Sequence, residues 1–363
     1  MRTVATLSSA TERDRERARA IVLKFGWNVT AYQILNPGMT LWFAAAGDAV
    51  AGYARHGRTW IVVGAPVCAP ERLTAVAEEL ERAAGAGRVI YFGAGTRLER
   101  VLAGAHPHHP LLLGAQPVWD ATEWPSIVRA KSSLRAQINR AQNKGVIVTE
   151  WPSSAAQGHP VLQAILEEWL GTRGLPPLHF MTEPHTLGDL RDRRVFVAER
   201  GSGAVAFLVA TPVPARRGWL VEQWPRSSRA PNGTTQLLVD AAMRALGAAG
   251  SRYVSLGLAP LTDRAGTIGA GQSTWLRLLL RWVRAHGRRF YNFRGLDAFK
   301  AGLEPGTWEP VYAVTRGKRI GPGALHAITG AFSGGSPERL IATALAMAVG
   351  RELRVFRRSV APR

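Results

Sequence analysis

Acidic residues are scarce in this chain, cysteine is almost missing, and no apolar run is long. The 363 residues hold 26 Asp and Glu against 46 Lys and Arg, a formal charge of +20. That imbalance points to a polyanionic partner: tRNA, DNA or an anionic membrane surface. The one cysteine, Cys68, excludes an intramolecular disulfide and any multi-thiolate zinc site, and fits a reducing cytoplasm. No uninterrupted apolar stretch approaches the roughly 18 residues of a membrane-spanning helix. Met1 to Ala10 lacks the apolar core of a signal peptide, and the densely charged Thr11 to Arg17 follows it. A cytoplasmic protein is expected, with any membrane contact peripheral, at the inner face. His106-Pro107-His108-His109-Pro110 has the composition of a metal cluster, but its prolines impose an extended backbone and no acidic or thiol ligand stands close in sequence, so no metal is expected. Hydrophobic residues make up 46%, enough to bury a full core.

The order of local signals repeats. A helix capped by Ser8, Ser9 or Thr11 and ended by Gly26 precedes strand-like runs at 41–45, 50–55 and 59–63, with Gly47-Asp48 as a hairpin turn. A helix from Glu71 to about Ala84 and a strand at 89–92 follow. Later, strands at 195–199, 204–210 and 218–224 lead through a loop to a helix from Thr234 to Leu246 and a strand at 253–256. Three antiparallel strands, a helix and a further strand form the core of an acetyltransferase-type (GNAT-like) α/β fold, and here they occur twice. The expectation is a tandem duplication with two mixed sheets flanked by helices: a first lobe over 1–125, a connecting basic helix over 126–150, a second lobe carrying the active site over 151–330, and an amphipathic basic helix over 331–363. In that last segment Leu340 to Val349 is apolar and arginines follow, as in helices that lie in an anionic leaflet or pack on a core.

Several segments could carry chemistry. On the connecting helix Lys131, Arg135, Arg140 and Lys144 make a cationic surface, while Leu134, Ile138 and Ala141 repeat at helical spacing on the buried side. This face either contacts phosphates or is simply solvated. Arg277, Arg281, Arg284 and Arg288 recur at spacings of four, three and four, which places them on one helical face where an anion, lipid headgroup or tRNA backbone, would relieve their repulsion. A helix N-terminus after a loop is an anion site, and Arg226, Arg229, Asn232 and Gly233 occupy that position before Thr234. Glu222 stands on a strand between Trp219 and Trp224, as a general base with a pKa raised by burial or as the partner of a nearby arginine. The run Arg289 to Lys300, followed by Trp308 to Tyr312, mixes aromatic rings, cations, an Asn amide and a turn glycine, more than a core strand needs.

Ser133 to Ala141, Ala230 to Thr234 and the aromatic run together resemble the C-terminal catalytic domain of the phosphatidylglycerol lysyltransferases, in the family's order, over about residues 20 to 315. The basic helix is also similar to a segment of the Fem-type peptidyltransferases. The resemblance implies a double GNAT-like fold and transfer of an aminoacyl group from aminoacyl-tRNA, the donor substrate, to the hydroxyl or amine of a phosphatidylglycerol-like lipid, with no cofactor. It implies that Glu222, Asn292 and Lys300 serve catalysis, and that Arg229, Asn232, Gly233, Gln236, Tyr291 and Arg294 surround the substrates. Arg135, Arg140 and Lys144, with the arginines at 277, 281, 284 and 288, would contact tRNA or phosphate. The chain departs from the family's pattern at Gln236, usually acidic, at Gly302, usually a cation, and at Val311, usually Arg. Those departures bear on which amino acid and which lipid are used. Two rivals stay open: an acyl-CoA-dependent N-acyltransferase, and a non-catalytic basic module that docks nucleic acid or membrane.

Overall fold

The computed structural model describes residues 10–103, 107–173, 178–201, 203–286 and 292–338. Tyr291, Arg288 and the apolar tail from residue 340 lie outside them. Thr11 opens the first helix, α1 (Glu12–Phe25), with a reciprocal capping box to Asp14, and Gly26 closes it. The first repeat continues with β1 (Thr40–Phe43), β2 (Val50–His56), β3 (Thr59–Val63), α2 (Leu73–Ala83), β4 (Arg88–Gly95), α3 (Thr96–Ala103) and β5 (His108–Trp119). The joining segment is not one helix but two, α4 (Trp124–Ala130) and α5 (Ser132–Gln142), because Lys131 leaves helical geometry at φ −95°, ψ 95°. The second repeat brings β6 (Val146–Trp151), α6 (Ser153–Ala156), α7 (Pro160–Gly171), β7 (Arg194–Arg200), β8 (Gly203–Val213), β9 (Gly218–Gln223), α8 (Thr234–Ala248) and β10 (Tyr253–Ser255). After it come β11 (Ala259–Pro260), α9 (Thr274–His286), α10 (Phe293–Ala301), β12 (Thr307–Arg316) and α11 (Pro322–Phe332).

The mixed α/β fold and its duplication stand, but the two expected sheets are one. The twelve strands run β1-β2-β3-β4-β12-β5-β10-β9-β8-β7-β6, with β11 beside β5. In each repeat three strands pair antiparallel and the third pairs parallel with a fourth, β3 with β4 and β9 with β10. The repeats then exchange strands. β5, which follows β4 in sequence, pairs with β10, while β12, which follows β10, lies between β4 and β5. Boundaries drawn at residues 125 and 330 therefore divide the chain but not the sheet: β12 falls by number in the second lobe and is hydrogen-bonded into the first. Edge strands that would otherwise expose unpaired backbone groups satisfy one another across this seam.

The seam is polar as well. The Glu309 carboxylate on β12 accepts two hydrogen bonds from Arg216, at 2.6 and 2.9 Å, and others from Gln116 on β5 and Tyr253 on β10. One histidine of that run has a structural partner here. His108 begins β5 and its buried ring lies 3.0 Å from Glu81, which also pairs with Arg316 at the end of β12. On the second repeat, α8 packs Leu238, Val239 and Met243 against the sheet and Trp124 of α4 donates from its indole to Asp240 at 2.8 Å. That packing fixes α4, α5 and α8 as a unit.

Candidate active site

The parallel pair β9 and β10 ends at Gln223 and Ser255, and the open end of the sheet beyond them is where α/β folds of this kind leave room for ligands. A cavity of about 430 Å³ lies there, lined by Gln137 and Arg140 of α5, Trp169 of α7, Trp224 and Arg226 just after β9, Asn232, Gly233, Thr235 and Gln236 around the start of α8, and Phe299 of α10. Three separate sequence motifs thus meet: the basic helix, the loop before α8, and the aromatic run. Gly233 makes the meeting possible. It sits at φ +95°, and a Cβ there would lie 2.0 Å from the Gln137 carbonyl oxygen, so no side chain fits between α8 and α5. The Thr234 amide bonds the Pro231 carbonyl at 3.2 Å, whereas those of Thr235 and Gln236, residues that line the cavity with Arg140 and Arg226, have no intrahelical acceptor. The lining holds two cations and no carboxylate, so it favours an anionic ligand group.

Aromatic walls complete the cavity. Trp224 and Phe299 stack with ring centroids 6.2 Å apart, and Arg173 lies 3.5 Å over the Trp169 ring. Gln137, Trp169, Trp224 and Phe299 carried no assigned role in the sequence. Their signal was weak: a partly exposed Trp on a helix reads as ordinary amphipathic packing until its neighbours in space are known.

Other anticipated residues fall elsewhere. Lys300, adjacent to Phe299, is fully buried beneath the end of β10, where its ammonium donates to the Gly257 and Leu258 carbonyls at 2.8 and 2.9 Å. Burial lowers its pKa to about 7, against the opposing field of Asp297. Asn292 is exposed and caps α10, its side-chain oxygen accepting from the Gly295 N–H at 3.0 Å. Glu222 is buried opposite Arg193 at 3.4 Å, with its second oxygen unpartnered among the described residues. None of these three lines the cavity. Arg135 donates to the Val128 carbonyl at 3.2 Å and to that of Arg129, which closes the end of α4. Lys144, Arg229 and Arg294 are exposed. On α9, Arg277 and Arg281 are exposed, whereas Arg284 pairs with Asp263.

The family model described as the C-terminal part of phosphatidylglycerol lysyltransferase matches residues 19–315. The chain belongs to that family. Phosphatidylglycerol lysyltransferase of Bacillus subtilis is 24% identical over 311 residues, which cover 84% of this chain and 35% of the relative. The chain spans little more than a third of the length of the curated relatives it matches. The C-terminal (DUF2156) domain of a candidate lysylphosphatidylglycerol synthetase from Agrobacterium fabrum superimposes with a TM-score of 0.76 at 25% identity, over 89% of this chain and 98% of that one. The Bacillus licheniformis L-PGS structure has the same fold, with a TM-score of 0.71 at 19% identity over 87% and 96% of the two chains.

Proposed function

We propose that this family member transfers an aminoacyl group from aminoacyl-tRNA to the hydroxyl of an anionic, phosphatidylglycerol-like lipid. One observation carries the reading: Arg140, Arg226 and the open start of α8 converge on a cavity walled by Trp169, Trp224 and Phe299. The cations and amides suit the phosphates and sugar at a tRNA 3′ end, and the rings suit its terminal base. The aminoacyl ester is already activated, so holding it against the acceptor hydroxyl supplies much of the rate. The hydroxyl oxygen attacks the ester carbonyl, the carbon–oxygen bond to the ribose breaks, and the proton released by the lipid passes to the ribose oxygen. Negative charge that develops on the carbonyl oxygen is stabilised by nearby cations and amide donors. Lys300 and Asn292 support this work from α10 by fixing the helix that presents Phe299, and Glu222 does so by anchoring β9.

The test is direct. The protein is incubated with a panel of radiolabelled aminoacyl-tRNAs and a total lipid extract, and label is sought in the organic phase. Label from at least one charged tRNA, lost in Arg140→Ala and Arg226→Ala, is expected. No label from any donor, together with saturable acetyl-CoA binding at the same cavity, would replace this reading with an acyl-CoA enzyme.

A further inference from the structure

Three turns meet at one end of the sheet: the turn between β2 and β3, the link from α2 to β4, and the segment that follows β12. Between them lies a second cleft, of about 660 Å³, which shares no lining residue with the cavity at α8. Its lining carries four cations, Arg58, Arg88, Arg316 and Lys318, against one carboxylate, Glu81. Glu81 is buried and fully engaged. It accepts from the Tyr91 hydroxyl at 3.2 Å, lies 3.0 Å from the His108 ring and pairs with Arg316 at 3.3 Å, which ties that arginine to the cleft. Arg58, Arg88 and Lys318 have no acidic partner among the described residues. The turns themselves are pinned. A Cβ at Gly87 would lie 2.5 Å from the Arg58 carbonyl oxygen, so glycine lets two of the turns close up, and the Arg88 amide donates to that same carbonyl at 3.0 Å. After β12, the Gly317 amide donates to the Pro107 carbonyl and the Thr315 hydroxyl to the Lys318 carbonyl, both at 2.8 Å.

We propose that this cleft is a second anion site, which takes a small ligand carrying linked phosphates. Cations held on three separate turns around one cleft repel each other, and an anion with more than one charged group relieves that repulsion at several of them at once. Guanidinium groups match phosphate oxygens with paired N–H donors, and Lys318 adds a movable point charge. The end of α2 contributes a partial negative charge of about half an elementary charge, and Glu81 a full one. Four cations outweigh both. The lining contains no aromatic ring, so the site reads phosphate charge rather than a stacked base. Its volume is that of a small-ligand site. An RNA backbone spreads its charges along a strand, one per nucleotide, whereas linked phosphates concentrate them within the cleft. This site is independent of the cavity at α8 and of aminoacyl transfer.

Titration calorimetry of the full chain with pyrophosphate, and separately with inorganic phosphate, tests this without any tRNA or lipid. Saturable binding of pyrophosphate is expected, about tenfold or more tighter than that of inorganic phosphate, because the linked group engages more of the cations. The double variant Arg58→Glu/Lys318→Glu, at two exposed positions, weakens it on the order of tenfold or more, whereas Arg140→Ala in the other cavity leaves it intact. If the charge reversal lowers the melting temperature, Arg58→Gln/Lys318→Gln removes the charges alone and carries the same expectation. Pyrophosphate binding that persists in the double variant and disappears in Arg140→Ala belongs to the cavity at α8 and overturns the proposal. Absence of saturable pyrophosphate binding overturns it too, and if uncharged tRNA affinity then falls in Arg58→Glu/Lys318→Glu, the cleft is an RNA contact instead.

Discussion

The rings of Trp224 and Phe299 stack 6.2 Å apart and 28° from parallel, which ties the end of β9 to α10 across the mouth of the cavity. Among the described residues no backbone hydrogen bond joins the two elements at this point, so the stack is a direct side-chain link between them. Phe299→Ala is expected to lower transfer activity by more than tenfold, with a stability cost of about 1–2 kcal/mol because the ring is only partly buried. Phe299→Tyr keeps the stack and most of the activity. Initial rates and thermal melts measure both, and full activity in Phe299→Ala would show that the ring does not shape the site.

Arg135 and Arg140 lie on the same helix but face different tasks. Arg135 is committed to carbonyls at the end of α4, whereas Arg140 lines the cavity. Arg140→Ala is expected to weaken tRNA binding and to reduce the salt slope of log Kd by about 1. Arg135→Ala lowers the melting temperature and leaves the slope alone. Equal slopes for the two variants would deny Arg140 its phosphate contact.

Gly233 separates α8 from α5 by the width of a missing Cβ. Gly233→Ala meets both a left-handed backbone and the Gln137 carbonyl, so it should destabilise by more than about 1 kcal/mol and abolish transfer by moving the start of α8. Chemical denaturation and rate measurements on the same sample check this. A wild-type midpoint and rate would mean that α5 retreats freely.

Lys300 makes stability depend on pH. Its folded-state pKa is about 7, against 10.5 for an ordinary lysine, so between those values the unfolded chain binds the extra proton. This contribution to stability is complete above about 10.5 and is lost as pH falls toward 7. Lys300→Met lacks the titration. The melting temperature of the wild type, measured relative to Lys300→Met, should therefore rise from pH 7 to pH 10, and a flat difference would refute the shifted pKa.

Local signals fixed a good deal in advance. Alternating apolar residues placed β2, β3 and the β7 to β9 meander within three residues, and one of three candidate caps, Thr11, with Gly26 marks the ends of α1, because pleat, cap and turn chemistry act over a few residues. β5 was hidden because Pro110, Pro117 and two histidines, His108 and His109, argue locally against a strand. Its ladder to β12 is decided by partners about 200 residues away. The same distance rule separates the site residues. Asn232, Gly233, Gln236 and Arg140 were legible as a loop before a helix and a cation on another, and both reach the cavity. Asn292, Glu222 and Lys300 have the right chemistry for catalysis, yet side-chain type cannot say whether a carboxylate meets a substrate or Arg193, or whether an ammonium meets an ester or two buried carbonyls. The sequence by itself determined the charge, the repeat of elements and the amphipathic helices. Only tertiary structure decided the strand exchange and the burial of Lys300, because each depends on which distant surface covers a given side chain.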